Sequence, residues 1–530
     1  MNARSLYKIN GITLALLFCS AIFIPLVIGI TEPDKATSSV EKRNLATLPK
    51  LPHSVAEIRQ YPPLFDKYYS DHFGFRDLLT TYYKRLKYAL GDSPSHDVTI
   101  GKDGWLFLGS IKKGYSAYDD PIGDYRNVNL YSEDELEKLT EHMIALKSWL
   151  HQRGIEYLLV IAPNKHSIYG EYLPDYISRV GPRSATDQLV AYLESHSSID
   201  VVDLRLALMA AKNDRQLYFK RDTHWNSYGA NIAQFQILAE VSRRFPNQIT
   251  ASLVENFAQE TLSGGDLANF IGLLNATDKN PRPIFDDSCQ PSTHPQGATG
   301  TNIHTLICPN NKLDALIYRD SFFSELEPYI ARKFRHSTYI WEKLGQDSLL
   351  KQIDLHQPDI IIEEWVERSL PYVPRNNAVF QDAYLKTLFA SGKPPIFRNE
   401  WEKLSFSPGL KATNGKDDPL KLQSTEKDPI ITFAPLAINS TKTYIIRLQL
   451  TSSKASTLQL FYSEANRSGY PFAANRMKSA MISRGRNEIY LRFGNNNLGN
   501  LLRVDPLVGT GSVVLEQVEI REIQQGIDPA

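Results

Sequence analysis

Hydrophobic positions along this chain fall into three regimes. The first is one block, Gly11 to Ile30 (GITLALLFCSAIFIPLVIGI), which carries no charge. At the rise of an α-helix it crosses a bilayer core. Arg4 and Lys8 precede it and Glu32 and Asp34 follow it. The positive flank therefore predicts a cytoplasmic tail over residues 1–10, a transmembrane anchor over 11–30, and everything later on the far side of the membrane. A cleaved signal peptide is the alternative, but Val27 to Ala36 offers no convincing small-x-small cleavage site and the run is long for a signal. No later segment is long and apolar enough to span.

The second regime has mixed periods. Residues 31–90 read as a lead-in, with aromatic and aliphatic side chains at helical spacing from residue 61 on, Tyr68, Tyr69, Phe73, Leu78 and Tyr82 among them. Gly101 to Phe107 reads as a turn and an aromatic strand, a hairpin. From about residue 130 short apolar runs alternate with helical patterns. Ser132 to His151 is an amphipathic helix opening on a capping box, Ser132 with Glu135. Tyr157–Ala162, Asp200–Leu204, Leu313–Tyr318 and Asp359–Ile362 are buried strands, and Ser227–Phe245 and Ser324–Phe334 are helices. Such alternation predicts an α/β domain over 91–395, a parallel sheet covered on both faces.

The third regime begins near residue 400. Pro394-Pro395, Pro408-Gly409 and the polar run Asn414 to Asp418 mark a turn-rich stretch, with a linker over 396–410. Short alternating strands follow (Thr443–Leu450, Leu458–Tyr462, Glu488–Phe493, Val513–Ile520), predicting an all-β sandwich over 411–530.

Composition adds little to this picture. Hydrophobic residues make up 42% of the 530, enough for sizeable cores. The formal net charge is zero, which argues against a nucleic-acid binder. Cysteines say more. Cys289 and Cys308 bracket a loop rich in Pro, Ser, Thr and Gly. In an exported chain that predicts a disulfide, stabilising by about 3 kcal/mol in the chain-entropy picture, with two free thiols as the alternative. Neither their spacing nor their neighbours suggest a metal site, and nothing calls for a cofactor.

Candidate chemistry sits in two short stretches. Arg221-Asp222-Thr223-His224-Trp225 places an acid and an imidazole two positions apart, and Tyr318-Arg319-Asp320-Ser321-Phe322-Phe323 places a serine after an apolar strand. If the first stretch is extended, Asp222 and His224 point the same way, so Asp222 can hold one ring nitrogen while the other takes a proton from Ser321. The alternatives are a surface acid beside an ordinary histidine, or a pair of metal ligands for which no third partner is evident. Ser321 on its own reads as an N-cap. Ser324, with Glu327 three residues on, fits a capping box better and frees Ser321 for the turn before the helix, where N–H groups can stabilise an oxyanion.

These two motifs resemble the alginate O-acetyltransferases, an SGNH-hydrolase-like group of periplasmic polysaccharide acetylation proteins. Phe73-Gly74-Phe75-Arg76, Gly104-Trp105-Leu106-Phe107, Ala162-Pro163-Asn164-Lys165 with Tyr169, Gly265-Asp266-Leu267 and Glu367-Arg368 add to the resemblance, which covers roughly residues 40–370. It implies a three-layer SGNH-hydrolase-like domain, Ser321 as nucleophile, His224 as general base and Asp222 as its orienter. It also implies acetyl transfer through acetyl-Ser321 to a polysaccharide hydroxyl, with a membrane-bound O-acyltransferase partner as acetyl donor. The usual Asp-x-x-His is here Asp-x-His, and the Gly-Asp-Ser that normally opens the fold is Arg-Asp-Ser and comes late. The oxyanion donors are therefore less defined: the Ser321 N–H, Asn164, Lys165 and Arg319 are candidates, and Trp365 is a candidate for the acceptor groove. The C-terminal domain resembles a carbohydrate-binding module, with Tyr462, Tyr470 and Phe472 available to stack on sugars or to pack in a core. An O-acetylesterase with the same three residues and a non-catalytic polysaccharide scaffold are the rival readings.

Overall fold

The computed structural model describes residues 3–38, 43–109, 120–273, 275–286, 289–293, 302–370, 378–413, 418–465, 471–473, 476–494 and 497–523. Tyr470 and residues 414–417 lie outside them. The apolar N-terminal block is one helix, α1 (Ala3–Thr31), whose stretch from Ile12 to Thr31 is long and apolar enough to cross a membrane. Two helices follow, α2 (Val55–Asp71) and α3 (Arg76–Ala89).

The α/β domain is built on a sheet of β1 (Glu156–Ala162), β2 (Val201–Asp203), β3 (Ile303–Ile307), β4 (Asp314–Tyr318), β5 (His336–Ile340) and β6 (Ile360–Val366). Their order is β2-β1-β6-β4-β5-β3, with Ser292–Thr293 beyond β3. The first five run parallel, but β3 pairs antiparallel with β5, so the sheet is mixed rather than purely parallel. Apolar patterning does not reveal β5, because its Ser337 and Thr338 are buried polar residues; Thr338 is satisfied by Thr305 of β3 at 2.9 Å.

Side-chain alternation builds a core on each face. On one face Leu158, Val160, Ala162, Ile317 and Ile362 pack with α5 (Ser227–Arg244). On the other, Tyr157, Leu159, Ile161, Leu316 and Trp365 pack with α4 (Glu133–His151) and α7 (Ala378–Ser391). α4 begins with the predicted capping box, Ser132 and Glu135 bonded reciprocally. The predicted hairpin is present as Val98–Ile100 paired with Leu106–Leu108. Cys289 and Cys308 form the predicted disulfide.

The second domain is a sandwich of two antiparallel sheets with a shared apolar core. It begins earlier than the composition suggests. Phe397–Arg398 pairs with Gly511–Ile523, and Leu404–Phe406 is an edge strand of the other sheet. The expected linker over 396–410 is therefore part of the sandwich: Phe397 and Trp401 are buried, and the Pro and charged residues around them mark sheet edges rather than free chain. Tyr462 is buried in this core, which removes it as a sugar-stacking surface.

Candidate functional site

Ser321 stands just past the carboxyl end of β4, where open α/β sheets present ligands. The turn there is set by Asp320. One of its oxygens accepts from the Phe322 N–H at 2.8 Å and the other from the Val366 N–H at 3.1 Å, tying the turn to the end of β6. Asp320, not Ser324, is thus the cap, and the element it opens is a short 3₁₀ turn, Ser321–Glu325, followed by Glu327–Ile330. The helix expected over 324–334 is shorter because Arg319 takes the groups that a Ser324 cap needs. Its guanidinium donates to Ser324 Oγ at 3.0 Å, pairs with Glu327 at 2.7 Å and lies 4.1 Å over Trp341. Arg319 is thereby a structural brace, not a substrate contact.

The Asp-x-His stretch is a bend and not an extended segment. Tyr218 and Trp225 pair as an antiparallel bridge and close the loop between them. Within it Asp222 Oδ1 accepts from the His224 backbone N–H at 3.0 Å and from His224 Nδ1 at 2.7 Å. This is the local side-chain turn that Asp favours. A carboxylate only accepts, so Nδ1 carries the proton and Nε2 is left as the acceptor. Ser321 Oγ lies 2.8 Å from that Nε2. Phe322 stacks at a tilt on the His224 ring, 4.9 Å between centroids, and edge-on to buried Trp225.

Asp266 enters the sequence reading only within Gly265-Asp266-Leu267, without a role, and the structure gives it one. It opens α6 (Asp266–Phe270); its N–H donates to Asp222 Oδ2 at 2.8 Å, while its own carboxylate accepts from the Thr223 N–H at 2.7 Å. Gly265 makes this approach possible: its φ is +114°, and a Cβ there would stand 2.5 Å from the Arg221 carbonyl oxygen. Asp222, His224 and Asp266 bring ligand-type atoms within 4.8 Å of one another, the third partner that sequence spacing did not provide. Hydrogen bonds within the trio and to backbone N–H groups occupy these atoms, so the cluster reads as a scaffold. Burial pushes the Asp222 carboxyl up, but the hydrogen bond and charge of His224 and the backbone donors outweigh it and hold it well below the usual carboxylate range. Burial and the charge of Asp222 push Asp266 up.

Lys165 does not face Ser321. Its buried Nζ donates to the carbonyls of Phe219, Lys220 and Asp222 at 3.1, 3.3 and 2.6 Å, clamping the loop that carries the acid and the imidazole. Burial pulls its pKa down to about 7, against the charges of Asp266, Asp222 and Asp278. Asn164 is also buried. Its N–H donates to Glu367, its Oδ1 accepts from Arg368 at 3.1 Å, and its Nδ2 has no partner among the described residues. The Arg368 guanidinium in turn lies 5.3 Å from the Phe322 ring centre. Trp365 belongs elsewhere. It is buried on the opposite face of the sheet, with Nε1 bonded to Glu363 and Lys343 over its ring, because strand parity turns it away from the serine side. It cannot line an acceptor groove at Ser321.

A serine at the carboxyl end of a parallel strand, met by an imidazole from a neighbouring loop, places the α/β domain in the SGNH-hydrolase-like class. Residues 98–327 match the family described as "ALGX: SGNH hydrolase-like domain, acetyltransferase AlgX". The chain is matched there over less than half of its 530 residues. It is 27% identical over 227 residues to the probable alginate O-acetylase AlgJ of Pseudomonas aeruginosa, a match covering 42% of this chain and 51% of that protein. The chain thus spans about half the length of this relative. Among solved structures it is similar to the O-acetyltransferase domain of Pseudomonas putida AlgJ, at 21% identity and a TM-score of 0.35 over 54% of this chain and 99% of that one. A carbohydrate-binding module from Cellvibrio mixtus lichenase 5A, solved with cellotriose, aligns at 16% identity and a TM-score of 0.20 over 25% of this chain and all of the module.

Proposed function

We propose that this chain is a single-pass, membrane-anchored O-acetyltransferase that acts on an exported polysaccharide in the periplasm. The observation that carries the proposal is the 2.8 Å contact between Ser321 Oγ and His224 Nε2. His224 takes the Ser321 proton as Oγ attacks the acetyl carbonyl of a donor, and returns it to the departing donor group. This leaves acetyl-Ser321 and a neutral ring. The ring then takes the proton of a sugar hydroxyl, whose oxygen attacks the acetyl-serine carbonyl. Ser321 leaves with that proton, and the acetyl group is now an ester on the sugar. Asp222 keeps Nδ1 protonated and stabilises the imidazolium in both steps. The Ser321 N–H opens its 3₁₀ turn without an intrahelical partner, and Asn164 Nδ2 is buried without one. These two donors are assigned to the developing oxyanion. The donor is a membrane-bound O-acyltransferase partner, and the C-terminal sandwich holds the polysaccharide.

Intact-mass analysis after exposure to an activated acetyl ester tests this reading. The expected result is a gain of one acetyl group, lost on addition of acceptor oligosaccharide with the mass appearing on the sugar, and no gain in Ser321→Ala with unchanged melting. Acetylation of the Ser321→Ala protein at the wild-type rate overturns it, and release of free acetate with an unmodified sugar makes the enzyme an esterase.

A further inference from the structure

α2 and α3 are amphipathic helices whose apolar stripes have no cover among the described residues. Leu78, Leu79, Tyr82, Tyr83, Leu86 and Leu90 of the second helix and its exit are each at least half exposed, and Ile58, Phe65 and Tyr69 continue the stripe on the first. Contiguous exposure on this scale marks an interaction surface. The opposite side of α3 is docked: Arg85 donates to the Gly272 carbonyl just beyond α6 at 3.2 Å, and Tyr88 packs against the core of the 98–108 hairpin.

The corner between the two helices fixes what meets the stripes. It is pressed against α1 inside the apolar stretch, not beyond it. A Cβ on Gly74 would stand 2.2 Å from the Pro25 carbonyl oxygen, and one on Gly29 would stand 2.8 Å from that of His72. Pro25 is buried by this contact while Ile12 to Ile24 are exposed. At the helical rise, Pro25 lies ~9 Å below the end of α1 at Thr31. That is the depth, roughly 5–10 Å into the headgroup and acyl boundary, at which interfacial amphipathic helices lie. α3 also carries four basic residues against one acidic, suited to anionic headgroups.

The geometry points to the α2–α3 pair as a lipid-binding surface seated in the outer leaflet of the membrane that α1 crosses. The inference rests on the reading of α1 as a membrane span. α1 and the hairpin then form one insertion unit, the span entering vertically and the hairpin lying along the boundary with its leucine and tyrosine stripe toward the acyl chains.

Spin labelling of the full chain in phosphatidylethanolamine–phosphatidylglycerol vesicles, in a Cys19→Ser background, tests it. Nitroxides are placed at Leu79→Cys on the stripe, at Ile22→Cys on the span and at Tyr176→Cys on the exposed α/β surface. The expected result is that the Leu79 and Ile22 labels both collide several-fold more with oxygen than with a water-soluble nickel complex, relative to the Tyr176 label. A Leu79 label as open to nickel as the Tyr176 label, with the Ile22 label in lipid, overturns the inference and leaves the anchor standing. A Leu79 label open to nickel in vesicles but shielded in native membranes overturns it in favour of a protein partner. Nickel access at Ile22 overturns the span reading itself.

Discussion

Asp222 makes more of its two oxygens than an orienting acid needs. One serves both the ring and the backbone of His224, and the other is held by the Asp266 N–H. Asp222→Asn puts an amide donor where Nδ1–H must donate, so the ring turns or takes the wrong tautomer; acetyl-Ser321 formation is expected to fall by about 10³–10⁴ with the fold retained. Asp266→Ala leaves the buried Thr223 N–H without an acceptor, at about 1–3 kcal/mol, or roughly 5- to 150-fold in rate. Asp266→Asn keeps an acceptor and stays within a few-fold. Single-turnover acetylation of the three variants checks this ranking, and an Asp266→Ala rate equal to wild type refutes the bracing role. The meeting of acid, imidazole and serine was legible because two contiguous motifs carry those residues. The role of Asp266 was not, although Gly265-Asp266-Leu267 was picked out: its contact spans 44 positions and depends on a glycine with positive φ, which no local pattern announces. Trp365 was misread for a simpler reason, since an aromatic at a strand end shows its face only once the parity of that strand is known.

At the scale of elements, the loop 218–225 is held from outside. Lys165 satisfies three of its carbonyls with one ammonium. Lys165→Met keeps the bulk and removes all three bonds. It is expected to lower the melting temperature and to slow acetylation by about 10²-fold or more, each orphaned carbonyl costing about 1 kcal/mol or more. A Lys165→Met protein with normal melting and normal rate would show that the loop keeps its shape unaided. The strongly periodic elements were readable, α4 with its capping box above all. Those stabilised by polar pairing were not, as in β5, and the 3₁₀ turn at Ser321 escaped because its cap is the residue just before the serine, where the sequence shows a more conventional cap downstream.

Across the whole molecule, two buried histidines couple stability to pH. Burial lowers His142 of α4 to about 4, and burial, opposed by a bond to the Leu108 carbonyl, lowers His166 to about 3. Both stay neutral in the native state at a pH where the unfolded chain, near its ordinary 6.5, binds a proton. Their contribution is therefore intact above pH 6.5 and declines below it, by about 2 kcal/mol per histidine at pH 5. Thermal unfolding at pH 7 and pH 5 should show a clear drop, and His142→Gln should shrink it; an equal drop in that variant argues against the assignment. The overall plan of apolar N-terminal helix, α/β domain and β-sandwich was legible from three regimes of hydrophobic period. The start of the sandwich was not, because Phe397 and Trp401 sit among residues that look like free chain.

α6 touches two worlds. At one end its Asp266 holds Asp222, and just past the other the Gly272 carbonyl receives Arg85 of α3, the helix inferred above to face lipid. On the membrane seat inferred above, these contacts link the loop that meets Ser321 to the boundary through packed protein rather than through a free tether. A flexible tether would let the hydroxyl wander down to a membrane-embedded donor. On the acetyl-transfer reading proposed above, such a packed mount means that the acetyl group is brought up to the enzyme and that only the stretch of polymer passing at its altitude is modified.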